Sequence, residues 1–231
     1  MRRTVFSSEH EDFRAMIRAF IESEVTPVYD KWFEEGIAPR DFYYKLGELG
    51  IFGIEIPAEY GGAGLDSYKF QAIITEECAR AGVSFGGSSV HIGLCLPYLK
   101  ALATDEQKQR WYPGMLSGET MFAIAMTEPG TGSDLAGMHT TAKPSGDGTH
   151  YVLNGSKTFI TNGINSDLVI VVAQTDPEKG AQGFSLLVVE RGMEGFERGR
   201  HLDKIGLDAQ DTAELSFTDV HVPAENLIGT E

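Results

Sequence analysis

The spacing of apolar residues changes once along this chain, near residue 120, from intervals of three and four to strict alternation. That single change constrains the fold more than any motif does. It predicts an α+β chain: an all-α helical domain over residues 1–119, then an all-β barrel or sandwich domain over 120–231. In the first part, "SSEHEDFRAMIRAFIESEV" puts Phe13, Ile17, Phe20, Ile21 and Val25 on one stripe, with Ser8 and Glu11 at capping-box spacing. "PRDFYYKLGELGIFG" reads as a short helix with Pro39 in its first turn and Gly50 at its end. "SYKFQAIITEECARAG" turns Phe70, Ile73, Ile74 and Cys78 inward. "SSVHIGLCLPYLKAL" is apolar nearly all round and reads as a buried helix, with Pro97 as a kink or a first-turn residue. Thr104 and Gln107 cap the last helix. In the second part, "MFAIAMT", "HTTAK", "THYVLNGSKTFIT", "DLVIVVAQT", "GFSLLVVER" and "TAELSFTDVHV" read as strands, and "PSGDGTH" as a hairpin connection.

Composition removes several function classes. A formal net charge of −15 argues against nucleic acid as a partner, although a few local N–H groups can still hold a small phosphate. No apolar run is long enough to span a bilayer, and "MRRTVFSSEHEDF" lacks the apolar core of a signal peptide. The two cysteines, Cys78 and Cys95, sit in apolar helical surroundings, as buried reduced thiols do, and imply a cytoplasmic or otherwise reducing compartment. None of the six histidines stands at metal-ligand spacing with another, and His91 reads as a core histidine. Ser88 and Ser89 have no partnered His and Asp. Arg198, Arg200 and Lys204 in "GFERGRHLDKIG" read as a solvated basic turn, with contact to a phosphate as the alternative.

Two segments invite a chemical reading. "MTEPGTGSDLAG" follows a strand and spaces Gly130 and Gly132 two apart, without the Lys of a phosphate-binding loop or the third Gly of a dinucleotide fingerprint. It is either a glycine-rich turn or a nest of outward N–H groups, with the Thr131 and Ser133 hydroxyls as added donors. In "GSKTFITNG", Phe159 and Thr161 lie two apart on one strand, so alternation puts them on one face. They could meet a flat ring system, or Phe159 could be one more core residue.

Taken with "AMTEPGTGSDLAG" and "NGSKTFITNG", the segment "DAQDTAELSFTDVHVPAENLIG" completes a set that resembles the acyl-CoA dehydrogenase family in order and spacing, and "RWYPGMLSGE" precedes the first motif as it does there. "AIAMTEPGTGSD" and "GLDAQDTAELSF" look most like the long-chain branch. The resemblance implies FAD as cofactor and α,β-dehydrogenation of medium-to-long-chain acyl-CoA thioesters, as in fatty acid β-oxidation. By motif position, Ile124, Ala125, Met126, Thr127, Glu128, Pro129, Gly130, Thr131, Gly132 and Ser133 would line the flavin. Phe159, Ile160 and Thr161 would lie against its other face, and Ser133, Ala181 and Gln182 would meet the acyl-CoA. An electron-transferring flavoprotein as acceptor and a homo-oligomer, a tetramer in full-length members, are implied in the same way.

The family's catalytic glutamate lies in a C-terminal four-helix domain, which the resemblance places beyond residue 231. No substitute base is assigned here. Glu128 reads as structural, Asp134 as closing an Asx-type turn, and Glu76 and Glu77 as exposed or packed helix residues. The alternative function is a non-catalytic flavin or acyl-CoA module, or a subunit completed by another chain. A third keeps the fold but turns the flavin to oxygen chemistry, against which "TEPGTGSD" argues.

Overall fold

Helices come first, as the three-to-four spacing requires. In the computed structural model, which describes residues 4–230, they are α1 (Ser8–Phe20), α2 (Tyr29–Glu35), α3 (Arg40–Glu48), α4 (Lys69–Ala81), α5 (Ser88–Val90), α6 (Leu96–Leu102) and α7 (Asp105–Ser117). Arg2, Arg3 and the closing Glu231 lie outside the described residues. The α1 stripe is buried at Ile17, Ile21 and Val25, and packs with Ile74 and Cys78 of α4. The cap sits one residue earlier than the sequence suggested. Ser7 has the extended backbone an N-cap needs, and its N–H donates to His10 Nδ1 at 3.2 Å, so His10 takes the place expected of Glu11. Thr104 and Gln107 do form their reciprocal box, at 3.2 and 2.9 Å.

Glu77 is buried between α1 and α4. Its carboxylate accepts from Arg18 at 2.9 and 3.0 Å, from Arg80 at 2.8 Å and from Arg14 at 3.2 Å. The Arg18 hydrogen bonds, with those of Arg80 and Arg14, overcome burial and hold Glu77 down at about 2. The segment from α5 to α6 is less enclosed than its composition implies. Leu94 is 49% and Leu102 40% exposed, so one side of it faces solvent. Pro97 is the second residue of α6 and follows a π-helical turn over His91–Cys95, where the ladder of hydrogen bonds is already irregular.

The strands are β1 (Phe122–Ala125), β2 (Thr141–Pro144), β3 (His150–Thr161), β4 (Leu168–Gln174), β5 (Phe184–Glu190), β6 (Phe196–His201), β7 (Thr212–Pro223) and β8 (Leu227–Ile228). They form one sheet in the order β6-β7-β3-β2-β4-β5-β8, with β1 parallel to β4. Alternation divides β4 between two cores. Val169 and Val171 meet Leu153, Leu187 and Leu215 inside the β domain, while Leu168 and Ile170 meet Leu99, Trp111 and Met115 of the helices. Covered on both faces, this strand can be apolar throughout, which explains "LVIVV". β6 was not anticipated because its residues are mostly charged or glycine. It replaces the solvated turn read there: Arg198 is half-buried, stacks over Phe196 at 4.4 Å, and donates to the Gly163 and Ser166 carbonyls at 2.9 and 3.0 Å. Burial, then Arg191, pulls its pKa down to about 10, so it is charged at neutral pH.

His91 has no exposed surface and accepts from the Phe122 N–H at 3.0 Å. Burial lowers its pKa to about 3, which fits a neutral core histidine. Cys78 and Cys95 are free and buried.

Candidate functional site

The loop after β1 is held from within. Glu128 is buried, and its carboxylate accepts from the His139 N–H at 2.7 Å, the Thr140 N–H at 2.9 Å and Lys157 Nζ at 2.9 Å. Burial pushes Glu128 up, but these donors outweigh it and hold the group at about 2. Lys157, also fully buried, donates to the Met126 carbonyl at 3.0 Å. Burial pulls its pKa down against the hydrogen bond and attraction of Glu128, 2.9 Å away. One residue on, the Thr158 N–H donates to the Thr127 carbonyl at 2.9 Å. The two segments singled out in the sequence are therefore joined side by side, 126–128 against 157–158.

The outward nest is smaller than expected. Glu128 and Thr131 exchange backbone hydrogen bonds at 2.9 and 3.0 Å, and Thr131 Oγ1 donates to the Gly137 carbonyl at 3.1 Å. Glu128 and Thr131 are thus framework, and the Thr131 hydroxyl is not an outward donor. Pro129, Gly130, Gly132 and Ser133 are exposed. Neither Gly130 nor Gly132 has positive φ, and a Cβ on either would meet nothing within 4 Å. Neither φ nor packing among the described residues demands glycine at these positions, and the space in front of them is open. Asp134 closes its turn with its backbone rather than its side chain, accepting from the Gly137 N–H at 3.1 Å.

Strand β3 departs from alternation at Phe159. Its register against β7 shifts between Lys157 and Ile160, and Phe159 takes φ 59. Such a conformation costs a non-glycine residue about 1–3 kcal/mol. The bulge turns Phe159 out, 68% exposed, and sends Ile160 into the β core. Phe159 is not a core residue; Ile160 between it and the half-buried Thr161 is the one that points into the core. Thr161 is half-buried, its Oγ1 accepting from Gln210 Nε2 at 3.3 Å.

What anchors this strand end could not be read from the residues alone. Asn162, at φ 64 and fully buried, donates to the Gly87 and Phe122 carbonyls, both at 2.9 Å. Asp211 accepts from the Ile164 and Asn165 N–H groups at 2.7 and 3.2 Å. Arg40 and Arg191 donate to the carbonyls of Asn165 and Ser166 at 2.7 and 2.6 Å. Ala181 and Gln182 lie elsewhere, exposed on the turn between β4 and β5, and among the described residues no hydrogen bond joins that turn to either segment. No group of three metal-ligating side chains occurs among the described residues.

A cavity of about 330 Å³ lies between α4, α5 and the β6–β7 connection, and one of its lining residues, Gln210, donates to Thr161 Oγ1. Ile74, Cys78, Phe85 and Ile92 line it, with Leu207 and Gln210 from the β side.

Residues 7–119 match the model of the acyl-CoA dehydrogenase N-terminal domain, and residues 123–220 that of the acyl-CoA dehydrogenase middle domain. The chain belongs to the acyl-CoA dehydrogenase family. Among curated relatives, the mitochondrial long-chain specific acyl-CoA dehydrogenase of Sus scrofa is 48% identical over 99% of this chain and 53% of its own length. The chain thus spans about half the length of the curated relatives it matches. An acyl-CoA dehydrogenase from Geobacillus kaustophilus superposes with a TM-score of 0.94 at 48% identity, over 100% of this chain and 60% of that one. One from Bacillus anthracis, solved in complex with FAD, gives 0.87 at 35% identity, over 100% and 39%.

Proposed function

We propose that this acyl-CoA dehydrogenase chain forms the flavin-facing and acyl-facing surfaces of an FAD-dependent enzyme that dehydrogenates medium-to-long-chain acyl-CoA thioesters. The observation that carries this reading is the open face made by two joined segments. The glycine loop satisfies its own polar groups at Glu128 and Thr131, keeps empty space at Gly130 and Gly132, and lies beside a strand that strains its backbone to expose Phe159. A protein gains nothing from an exposed aromatic at positive φ unless something covers it.

The fit to FAD is good on both counts. Met126, Thr127, Gly130, Gly132 and Ser133 would hold it along the loop, and Phe159 and Thr161 along the strand end. Ile124 and Ala125 deliver the chain from β1, while Ile160, whose side chain is in the β core, offers only its backbone. Bound FAD supplies the acceptor for a hydride from the acyl β-carbon. The chain's own residues position the two reactants: Ser133 would contact the CoA thioester, and the cavity lined by Ile74, Phe85, Ile92 and Leu207 would receive the acyl tail. Removal of the α-proton needs a carboxylate with a free oxygen. Glu128 cannot serve, because three donors occupy both its oxygens and the group is buried. An electron-transferring flavoprotein as acceptor, and assembly as a homo-oligomer, complete the proposal.

FAD titration of the wild-type chain and of Gly132→Val tests it. The variant should fold with an unchanged thermal midpoint, since its Cβ meets nothing in the protein, yet lose at least tenfold in FAD affinity. Equal affinity for the two would sink the reading.

A further inference from the structure

The cavity of about 330 Å³ is inside the size range of pockets for small organic ligands. Of the residues that line it, only Leu207 and Gln210 come from the β domain. Gln210 ties that wall to the candidate cofactor strand through its 3.3 Å hydrogen bond to Thr161 Oγ1. The other walls of the space are helical-domain residues, Ile74 and Cys78 among them.

Leu207 is the anomaly in this wall. Its φ of 51 puts a large apolar residue in the left-handed region, where an L side chain is strained. It is 60% exposed, although Ile74, Cys78, Phe85 and Ile92 across the cavity are all buried. The turn cannot relax by moving as a whole. The Gln210 N–H donates to the Leu207 carbonyl at 2.9 Å, and the carbonyl of the fully buried Ala209 accepts from the Ala38 N–H at 2.8 Å, fixing the turn to the helical domain. A strained leucine on a fixed turn, exposed over an apolar space, has its area to bury only when that space is filled.

We infer that Leu207 is a specificity-determining residue of the acyl site: it covers the alkyl chain inside this cavity, and so favours long acyl groups over short ones. This rests on the acyl-CoA reading above.

The test uses two unreactive thioethers that share the CoA moiety, S-dodecyl-CoA and S-ethyl-CoA, titrated into the chain in the presence of FAD. Wild type should bind the dodecyl compound more tightly. Leu207→Gly removes the cover and leaves a residue that adopts positive φ freely, so its thermal midpoint should not fall. Its affinity for S-dodecyl-CoA should drop about tenfold, as loss of the exposed part of one leucine implies, while S-ethyl-CoA changes less than twofold. Leu207→Met should keep the preference for the long chain. Overturning results are a Leu207→Gly chain, folded as wild type, that binds S-dodecyl-CoA as before or loses both ligands equally. A wild-type chain that binds the two thioethers alike, or neither, would instead defeat the acyl-site reading itself, and this inference with it.

Discussion

Replacing Lys157 by Met removes the cation that holds the glycine loop to β3. Lys157 Nζ lies 2.9 Å from Glu128 and 3.0 Å from the Met126 carbonyl, with no exposed surface of its own. Two routes give the size of the loss. Breaking a buried ion pair from one side costs about 3–5 kcal/mol, because the remaining charge is left without its partner. Independently, Glu128 is held from 4.5 down to about 2, which corresponds to about 3 kcal/mol of preference for the ionised folded state, shared among Lys157 and the two N–H donors. Lys157→Met should therefore cost about 3 kcal/mol in urea unfolding. Glu128→Gln, which keeps an acceptor for the His139 and Thr140 N–H groups, should cost about 2 kcal/mol. The double variant leaves no orphaned charge, so it should be milder than the two losses added together, by at least about 1 kcal/mol. The sign with pH follows from the lowered pKa. The Glu128 contribution is fully present above about 4.5 and disappears as pH falls toward 2, so Glu128→Gln should flatten the loss of stability in that window. Additive single variants, within about 0.5 kcal/mol, and an unchanged acid profile would refute the reasoning.

Other outcomes are as specific. Phe159→Gly should leave stability unchanged or raise it by up to about 1 kcal/mol, since glycine accepts φ 59 without strain, yet weaken FAD binding about tenfold by fluorescence titration. Gly87→Ala should destabilise the chain by more than about 2 kcal/mol in thermal melts, because its Cβ would fall 1.5 Å from Asn162 Oδ1. Cys78, whose thiol burial pushes up to about 12, should react with a water-soluble thiol reagent at pH 8 far more slowly than a free cysteine, and at the free rate only once unfolded.

What the sequence revealed and what it hid divide along physical lines. The α1 stripe and the two-sided strand β4 were legible because burial imposes a period on neighbouring residues. The Thr104–Gln107 box was legible because its partners are three apart. The bulge at Phe159 was not, since nothing local distinguishes it from regular alternation; the contacts of Asn162 and Asp211 that hold the chain just after it are made to residues distant in sequence. Strand β6 was hidden because Arg198 serves the core with its stem and ring contact while reading as a surface charge. Lys157 and Glu128 stand 29 positions apart, and only the fold brings them together. The glycines showed in the sequence as a motif, but the reason for them, open space rather than positive φ, is visible only in the structure.

The most direct test of the central claim is amide hydrogen exchange with and without FAD. The account predicts slowed exchange at residues 126–133 and 158–161 on adding the cofactor, with the exposed turn at 177–182 unchanged. No protection at the two joined segments, or protection confined to other parts of the chain, would contradict it.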